Sequence, residues 1–309
     1  MKFSHYSVML GECLDGLAVK KGGTYFDGTL GGGGHSEAIL KKLDGEGFLF
    51  STDLDDEAIL SATERLKKYK NFKAVKSNFK NFKSVADNLG VESIDGAILD
   101  LGVSSYQLDN RERGFSYMSK ETRLDMRMDR TSGFSAYDIV NGYDEKQLKF
   151  ILSCYGEEKF AGNIAKNIIE ARREKPIETT GELVDICDKS IPFKFKRDGH
   201  PAKKTFQAIR IEVNAELKGL DTVLKDIVDR LKRGGRLAVI TFHSLEDRIV
   251  KTVFKELSSG CDCDKRYPCV CGKKEVVKEV SKKPITATCE ELSINSRSKS
   301  AKLRVIEKL

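Results

Sequence analysis

The chain has 309 residues, of which 39% are hydrophobic and 33% charged, and its formal net charge is +7. This length suffices for one large α/β domain with a second, smaller unit, and the positive charge fits a polyanionic partner. The longest apolar runs, such as residues 237–240, are too short to span a bilayer, and the N-terminus lacks the apolar core of a signal peptide. We therefore expect a cytoplasmic protein without a membrane partner, whose eight cysteines are thiols or metal ligands rather than disulfides.

After a short helical lead-in, residues 24–35 predict a strand, a glycine turn and the start of a helix. An apolar run ends in Asp27, and residues 31–34 are four consecutive glycines. Because glycine has no Cβ, the backbone can approach a ligand closely, and the N–H groups at a helix start point toward it. The spacing matches neither the dinucleotide fingerprint nor the phosphate loop. It resembles the D-x-G-x-G-x-G motif of S-adenosylmethionine-dependent methyltransferases, with Thr29 in place of the first glycine.

Two further apolar runs also end in an acid, at Asp53 and at Asp100. Ligands of open α/β sheets bind where the carboxyl ends of parallel strands meet, so we expect these acids and Asp27 to converge on one crevice. Asp53 is suited to accept both hydroxyls of a ribose. Its alternative role is to cap the next helix, but Asp55 is better placed for that.

The remaining elements follow in order. Residues 72–75 predict a third strand, after which Phe79 is suited to stack on an adenine ring, with ordinary core packing as the alternative. Residues 106–205 are polar, charged and helical in pattern. Residues 206–231 have apolar side chains three or four apart, which predicts one long helix that ends at the glycine pair 234–235. Two strands follow, at 236–242 and 301–307. The pattern predicts an α/β protein with a helical insertion between its fourth and fifth strands.

Several longer motifs occur together in this chain. They are D-L-G-V-S-S at 100–105, R-G-F-S at 113–116, L-D-M-R-M-D at 124–129, H-P-A at 200–202, T-F-Q-A-I-R-I at 205–211 and F-H-S-L-E-D-R at 242–248. With them the chain resembles the RsmH family, also called MraW, over nearly its whole length apart from a cysteine-rich segment. Tyr106 and Arg123 stand where prolines are common in that family.

The resemblance implies a class I, Rossmann-like methyltransferase domain formed by residues 1–105 and 206–309, with an inserted helical substrate-recognition domain at 106–205. It implies methyl transfer from S-adenosylmethionine to the exocyclic N4 of a cytidine in the decoding region of 16S ribosomal RNA. The partner is then 16S RNA or the small ribosomal subunit, and a homodimer is one assembly that the sequence leaves open. Carried over by motif, the cofactor-binding residues are Gly33, Gly34, His35, Asp53, Phe79, Asp100 and Gln107.

The reaction needs a hydrogen-bond acceptor for the cytosine amine, whose lone pair is delocalised into the ring. Many amino-methyltransferases carry a D/N-P-P-Y motif after the fourth strand, but here Asp100 is followed by Leu-Gly-Val. The catalytic candidates are therefore Asp100, or a nearby carbonyl, and His243 after the fifth strand. The alternative for His243 is a structural bond to its own loop, and His35 has a similar alternative as a helix cap.

Basic residues in the insertion predict an RNA-binding surface, because lysine and arginine neutralise phosphates and aromatic rings stack on unpaired bases. A solvated face is the alternative for each. One group combines phenylalanines at 193 and 195 with Lys194, Lys196, Arg197, Lys203 and Lys204. The second group consists of Arg111, Arg113, Arg123, Arg127 and Arg130.

Four cysteines form a C-x-C, five-residue, C-x-C pattern near the C-terminus: Cys261, Cys263, Cys269 and Cys271. Four thiolates at this spacing can close a tetrahedral, structural zinc site, although the single-residue spacing is tighter than usual. Thiols in a lysine-rich loop are the alternative. The resemblance does not address this segment.

Three other functions remain as alternatives at this stage. A methyltransferase of the same fold could act on a protein or small molecule. A nicotinamide oxidoreductase is disfavoured by the interrupted glycine fingerprint, and a non-enzymatic RNA-binding assembly factor is disfavoured by the three intact acids.

Overall fold

The computed structural model describes residues 7–309 except 262, 264, 265, 267, 269, 270 and 273, and it describes only the backbone of Arg197 and Asp198. Its strands are β1 (Thr24–Asp27), β2 (Phe48–Asp53), β3 (Phe72–Lys76), β4 (Ile94–Asp100), β5 (Leu231–Thr241), β6 (Val277–Glu279) and β7 (Lys302–Lys308). Its helices are α1 (Leu10–Leu17), α2 (Gly34–Leu43), α3 (Asp56–Leu66), α4 (Phe82–Asn88), α5 (Ser105–Asp109), α6 (Ala136–Gly142), α7 (Glu145–Cys154), α8 (Ala161–Glu174), α9 (Thr180–Ser190), α10 (Lys203–Val213), α11 (Leu220–Arg230), α12 (Ser244–Ser258) and α13 (Cys289–Ile294). None of these helices is long and apolar enough to cross a membrane.

These strands form one sheet in the order β3-β2-β1-β4-β5-β7-β6. The pairs from β3 to β5 are parallel, whereas β7 runs antiparallel to β5 and β6. From β1 the chain first builds outward to β2 and β3 and then returns to add β4 on the other side. This reversal is the topological switch point at which open α/β sheets bind ligands. The predicted α/β fold class is confirmed.

The central strands are buried on both faces, which explains why they appear in the sequence as continuous apolar runs. Successive side chains alternate between two apolar layers, as in the pairs Tyr25 and Phe26, Leu49 and Phe50, and Ile98 and Leu99. Helices α4, α11 and α12 cover one layer, and α1, α2 and α3 cover the other. The carboxyl ends of β1, β2 and β4 are thereby held in fixed register.

The chain divides into two compact units, one formed by residues 1–102 and 218–309 and the other by residues 103–217. The first contains the sheet. The second contains α5 to α10 around an apolar core of its own. The division differs from the predicted limits of 106 and 205, because α10 contributes Phe206, Ala208 and Ile209 to the core of the helical unit.

The single long helix predicted for residues 206–231 is wrong. Helix α10 ends at Val213, and α11 begins only at Leu220. Between them Ala215 and Gly219 have left-handed backbones, with φ of 47° and 75°, and such residues interrupt an α-helix. The glycine pair 234–235 does not end a helix either, since it lies within β5 beside a register shift in the pairing with β4.

Candidate active site

The three predicted acids do lie at the same edge of the sheet, but at two levels. Asp27 is level with Ser51 of β2 and Ile98 of β4. Each neighbouring strand therefore extends two residues beyond β1, and these extensions end in Asp53 and Asp100. The glycine loop leaves β1 between these two carboxylates.

Backbone hydrogen bonds attach the loop to both neighbouring strands. The N–H of Gly28 donates to the carbonyl of Ile98 and that of Leu30 to the carbonyl of Thr52, each at 3.0 Å. The hydroxyl oxygen of Thr29 accepts the N–H of Asp100 at 2.7 Å. Thr29, which replaces the first glycine of the general motif, thus holds the end of β4 in place. Its φ is not in the left-handed region, so glycine is not needed there.

Asp27 organises the inside of the loop. Its carboxylate is 1% exposed and accepts the hydroxyl of Ser36 at 2.7 Å and the N–H of Thr29 at 3.0 Å. Burial raises the pKa of Asp27, while the hydroxyl of Ser36 opposes the rise. Both carboxylate oxygens accept hydrogen bonds from the chain itself, one from the loop and one from the start of α2. Asp27 therefore holds the loop in place and is not a candidate ligand-binding residue.

Asp53 faces the loop from β2. Its Oδ2 accepts the N–H of Gly31 at 2.8 Å, and its Oδ1 accepts the N–H of Asp55 at 2.9 Å. Burial raises the pKa of Asp53 to about 6, against the effect of those N–H groups. Asp55 itself caps α3 by accepting the N–H of Glu57 at 3.1 Å, as predicted. Since a carboxylate offers about four acceptor positions, Asp53 keeps capacity for a further hydrogen bond.

Asp100 is the other carboxylate beside the loop, and its Oδ1 atom is buried without a hydrogen-bond partner in the part of the chain that the structure describes. Its Oδ2 lies 3.8 Å from Nδ1 of His35, too far for a hydrogen bond. His35 is buried, and its Nε2 donates to the carbonyl of Val8 at 3.0 Å. Burial raises the pKa of Asp100 to about 6, although the proximity of His35 lowers it.

The glycines and Phe79 complete this edge of the sheet. Gly33 precedes α2 with a left-handed φ of 76°. A Cβ on Gly34 would overlap the hydroxyl of Ser7, and one on Gly28 would overlap Leu99 and lie 2.9 Å from Cβ of Phe79. Packing against Phe79 therefore favours glycine at 28, and the left-handed backbone favours it at 33, whereas at 34 only the Ser7 side chain would have to move. Phe79 lies beside the loop and also packs against the core, so both of its predicted roles remain.

His243 is the N-cap of α12. Its Nδ1 accepts the N–H of Glu246 at 3.4 Å, and its Nε2 lies 3.2 Å from Oε1 of that residue. The other carboxylate oxygen of Glu246 accepts the N–H of Phe242 at 3.0 Å. The cap at Nδ1 corresponds to the structural alternative for His243, but its buried Nε2 has no hydrogen-bond partner among the described residues. Its catalytic role stays a prediction.

The helical unit changes the interpretation of two arginines and a glutamine. Arg113 is 2% exposed and donates to the carbonyls of Arg127 and Met128, so its guanidinium is engaged within the chain. Its role as an RNA contact stays a prediction. Arg127 is largely engaged by Asp125 through paired hydrogen bonds of 2.9 and 2.6 Å. Gln107 is buried and forms a capping box with Ser104 at the start of α5.

The other predicted basic residues vary in accessibility. Arg111, Lys194, Lys203 and Lys204 are exposed. Lys194 lies 5.0 Å from the ring centre of Phe195, and Phe193 is 78% exposed. Lys196 pairs with Asp188 at 2.7 Å. The side chain of Arg197 lies outside the described part of the chain.

Three of the predicted metal ligands, Cys261, Cys263 and Cys271, come together in the segment between α12 and β6. The fourth, Cys269, lies outside the described residues.

The roles of Thr29 and Ser36 in holding the glycine loop in place were not predicted from the sequence. The available signal was their polar character next to Asp27 in an otherwise glycine-rich turn.

Comparison with known proteins gives a consistent result. A model of the MraW methylase family matches residues 2–309. Two proteins called ribosomal RNA small subunit methyltransferase H, from Clostridium botulinum strains Loch Maree / Type A3 and Kyoto / Type A2, are each 57% identical to this chain, with 100% of both chains covered. A solved structure of an rRNA methylase from Streptococcus thermophilus covers 96% of this chain and 93% of its own at 15% identity and a TM-score of 0.40. That structural likeness is too weak to add to what the sheet order shows.

Proposed function

Because the chain belongs to the MraW methylase family, we propose that it transfers a methyl group from S-adenosylmethionine to the exocyclic N4 of a cytidine in the decoding region of 16S ribosomal RNA. The names of its relatives support the substrate class. The observation that carries the proposal is the buried Oδ1 of Asp100, which lacks a partner among the described residues, at the switch point of the sheet. Burying a polar atom is costly unless a ligand satisfies it.

The residues at this edge fit the cofactor in three respects. The loop at Gly33 and Gly34 leads into the start of α2, where backbone N–H groups face a ligand. The Asp53 carboxylate already accepts the N–H groups of Gly31 and Asp55, and its remaining acceptor capacity binds the ribose hydroxyls. Phe79 offers an aromatic face beside the loop for the adenine ring. When bound, S-adenosylmethionine supplies an electrophilic methyl group on its sulfonium sulfur.

Asp100 is the proposed catalytic residue. Its carboxylate accepts one N–H of the cytosine amine, which directs the nitrogen lone pair toward the methyl group, and it takes up the proton that the amine loses after transfer. With a pKa raised to about 6, Asp100 is mostly ionised at neutral pH and still basic enough for this step. His35 acts as a positioning residue, since it is anchored to Val8 and lies beside Oδ2 of Asp100. His243 is the second candidate: its Nδ1 caps α12, whereas its buried Nε2, like Oδ1 of Asp100, has no hydrogen-bond partner among the described residues.

RNA binding is proposed for the exposed basic surface around the 3-10 helix Phe193–Asp198 and the start of α10. Lys194 and Lys203 contact phosphates, and Phe193 stacks on an unpaired base. Replacing both lysines by alanine should lower the slope of log affinity against log salt by about two. Lys251→Ala, an exposed lysine of α12, is the control. An unchanged slope in the double variant would exclude this surface.

A ribosomal substrate implies a cytoplasmic location and the small subunit as the partner. Small subunits from cells that lack this modification would be incubated with methyl-labelled S-adenosylmethionine and the protein, followed by nucleoside analysis. We expect label in N4-methylated cytidine, and at least a hundredfold less with Asp100→Asn, since acid–base catalysis contributes about 10²–10⁴-fold.

Asp95→Asn is the matched control, because Asp95 lies near the opposite end of the same strand and bonds the N–H of Thr24. Full activity in Asp100→Asn would reject the catalytic assignment. Label in a different nucleoside would reject the N4 assignment but keep the reaction class. Absence of label with every RNA, while the cofactor still binds, would reject the proposed substrate.

A further inference from the structure

One motif has no part in methyl transfer: the cysteines that follow α12. The Sγ atoms of Cys261, Cys263 and Cys271 all lie within 4.8 Å of one another. In a tetrahedral zinc–thiolate site the Zn–S bonds are about 2.3 Å, which separates the sulfur atoms by about 3.8 Å. The distances between the three sulfur atoms therefore exceed those of such a site by no more than about 1 Å.

A hydrogen bond supports this arrangement. The N–H of Cys263 donates to Sγ of Cys261 at 3.2 Å. Hydrogen bonds of this kind orient a metal ligand and stabilise the negative charge of a thiolate. The C-x-C spacing makes the bond available, since the second cysteine's own N–H lies next to the first sulfur.

The residues of this segment that the structure describes are exposed or half-buried. Its base is closed, because the N–H of Val276 donates to the carbonyl of Leu257 at 2.9 Å. Between these two residues, no residue whose burial the structure describes is buried. Burial of side chains therefore does not order the described part of this segment, and a structural metal would cross-link it.

Charge favours a thiolate site as well. In residues 261–275 four cations, Lys265, Arg266, Lys273 and Lys274, outnumber three acids, Asp262, Asp264 and Glu275. A zinc ion with three or four thiolates carries a net negative charge, which these cations offset. Thiolates are the protein ligands that prefer zinc among abundant divalent ions.

We propose that Cys261, Cys263 and Cys271 bind a structural zinc ion that cross-links the segment between α12 and β6. Cys269, the fourth cysteine of the sequence pattern, lies outside the described residues, and its role as a ligand stays a sequence prediction. An ion held by these thiolates would stabilise the loop, and the methyl transfer proposed above does not use it.

The test is metal analysis of the whole protein expressed with zinc and purified without chelator. We expect about one zinc ion per chain, falling to less than about a tenth in Cys261→Ser/Cys271→Ser. Cys154→Ser and Cys289→Ser are matched controls, because both cysteines are exposed and lie outside the cluster, and both variants should keep the ion. Cobalt substituted for zinc should give a sulfur-to-metal absorption band, whose intensity should fall by about a quarter in Cys269→Ser if that residue is the fourth ligand.

Two results would overturn the proposal. One is wild-type protein that contains no zinc and gives no sulfur-to-cobalt band on reconstitution. The other is an intact mass showing that these cysteines are joined as disulfides. Circular dichroism of the double variant separates loss of metal from loss of fold. Metal content is independent of the RNA reaction, so either hypothesis can fail alone.

Discussion

The sharpest test of the cofactor site is the substitution Asp53→Asn. The variant keeps the size of the side chain but replaces one carboxylate oxygen by an NH2 group, which cannot accept a hydrogen bond. In the structure both oxygens already accept a backbone N–H, from Gly31 and from Asp55. The amide can serve only one of these groups well, and it carries no charge for the ribose hydroxyls.

The expected magnitude follows from these contacts. A hydrogen bond to a charged group contributes about 1.5–3 kcal/mol, and the substitution removes at least one between Asp53 and the ribose. That loss corresponds to an increase of about 10- to 150-fold in the Kd of S-adenosylmethionine. Isothermal titration of the cofactor into purified protein measures the change directly.

Asp55→Asn is the control that makes the measurement decisive. Asp55 lies two residues away and caps α3, and asparagine caps a helix about as well as aspartate. We expect its cofactor affinity to match that of the wild type. If Asp53→Asn also binds within twofold of the wild type while thermal denaturation shows both variants folded, the ribose assignment is wrong.

Three further predictions concern pH and packing. At saturating cofactor, which offsets the parallel protonation of Asp53, turnover should fall as the pH drops through about 6, because the raised pKa means that Asp100 takes up a proton there. A flat profile between pH 5 and 7 would contradict the role of Asp100. Gly28→Ala should lower the melting temperature and cost about 1–3 kcal/mol of unfolding free energy, because its Cβ would overlap Leu99. Gly11→Ala is the control, since Gly11 has open space around it, and any loss of stability there should be smaller. Acid should destabilise the helical unit, because Lys175 and the backbone N–H groups of Thr179 and Glu178 lower the pKa of Glu182 to about 2. That stability is present above the unfolded pKa near 4.5 and is lost as the pH falls toward 2, so Glu182→Gln should show a shallower loss by circular dichroism over this range.

The strands and their terminal acids could be predicted from the sequence because their causes are local. A strand buried on both faces needs a continuous apolar run, and β2 begins and ends where the run 48–53 does. The capping role of Asp55 is equally local, since it depends on a residue two positions further on.

The errors have causes that are distant in the chain. Helix α10 ends where Asn214 accepts the N–H of Met128 and donates to the carbonyl of Met126. The spacing of apolar residues within 206–231 cannot predict these partners, because they lie far away in the sequence. The burial of Arg113 is likewise not predictable from its charge. Its actual partners are carbonyls of a loop about fourteen residues further along, which residue type alone cannot reveal.

The interruption of the sheet by the helical unit has a consequence for the order in which the protein folds. Strand β4 ends at Asp100, but its partner β5 begins only at Leu231, so the centre of the sheet requires closure of a very long loop. Residues 103–217 form a continuous unit with its own apolar core, and during synthesis they emerge before β5. Once folded, that unit shortens the flexible chain to be closed, and each halving of its effective length lowers the entropic cost by about 0.6 kcal/mol. We therefore expect the helical unit to fold first and the joining of β4 to β5 to be a late step in the folding of the sheet.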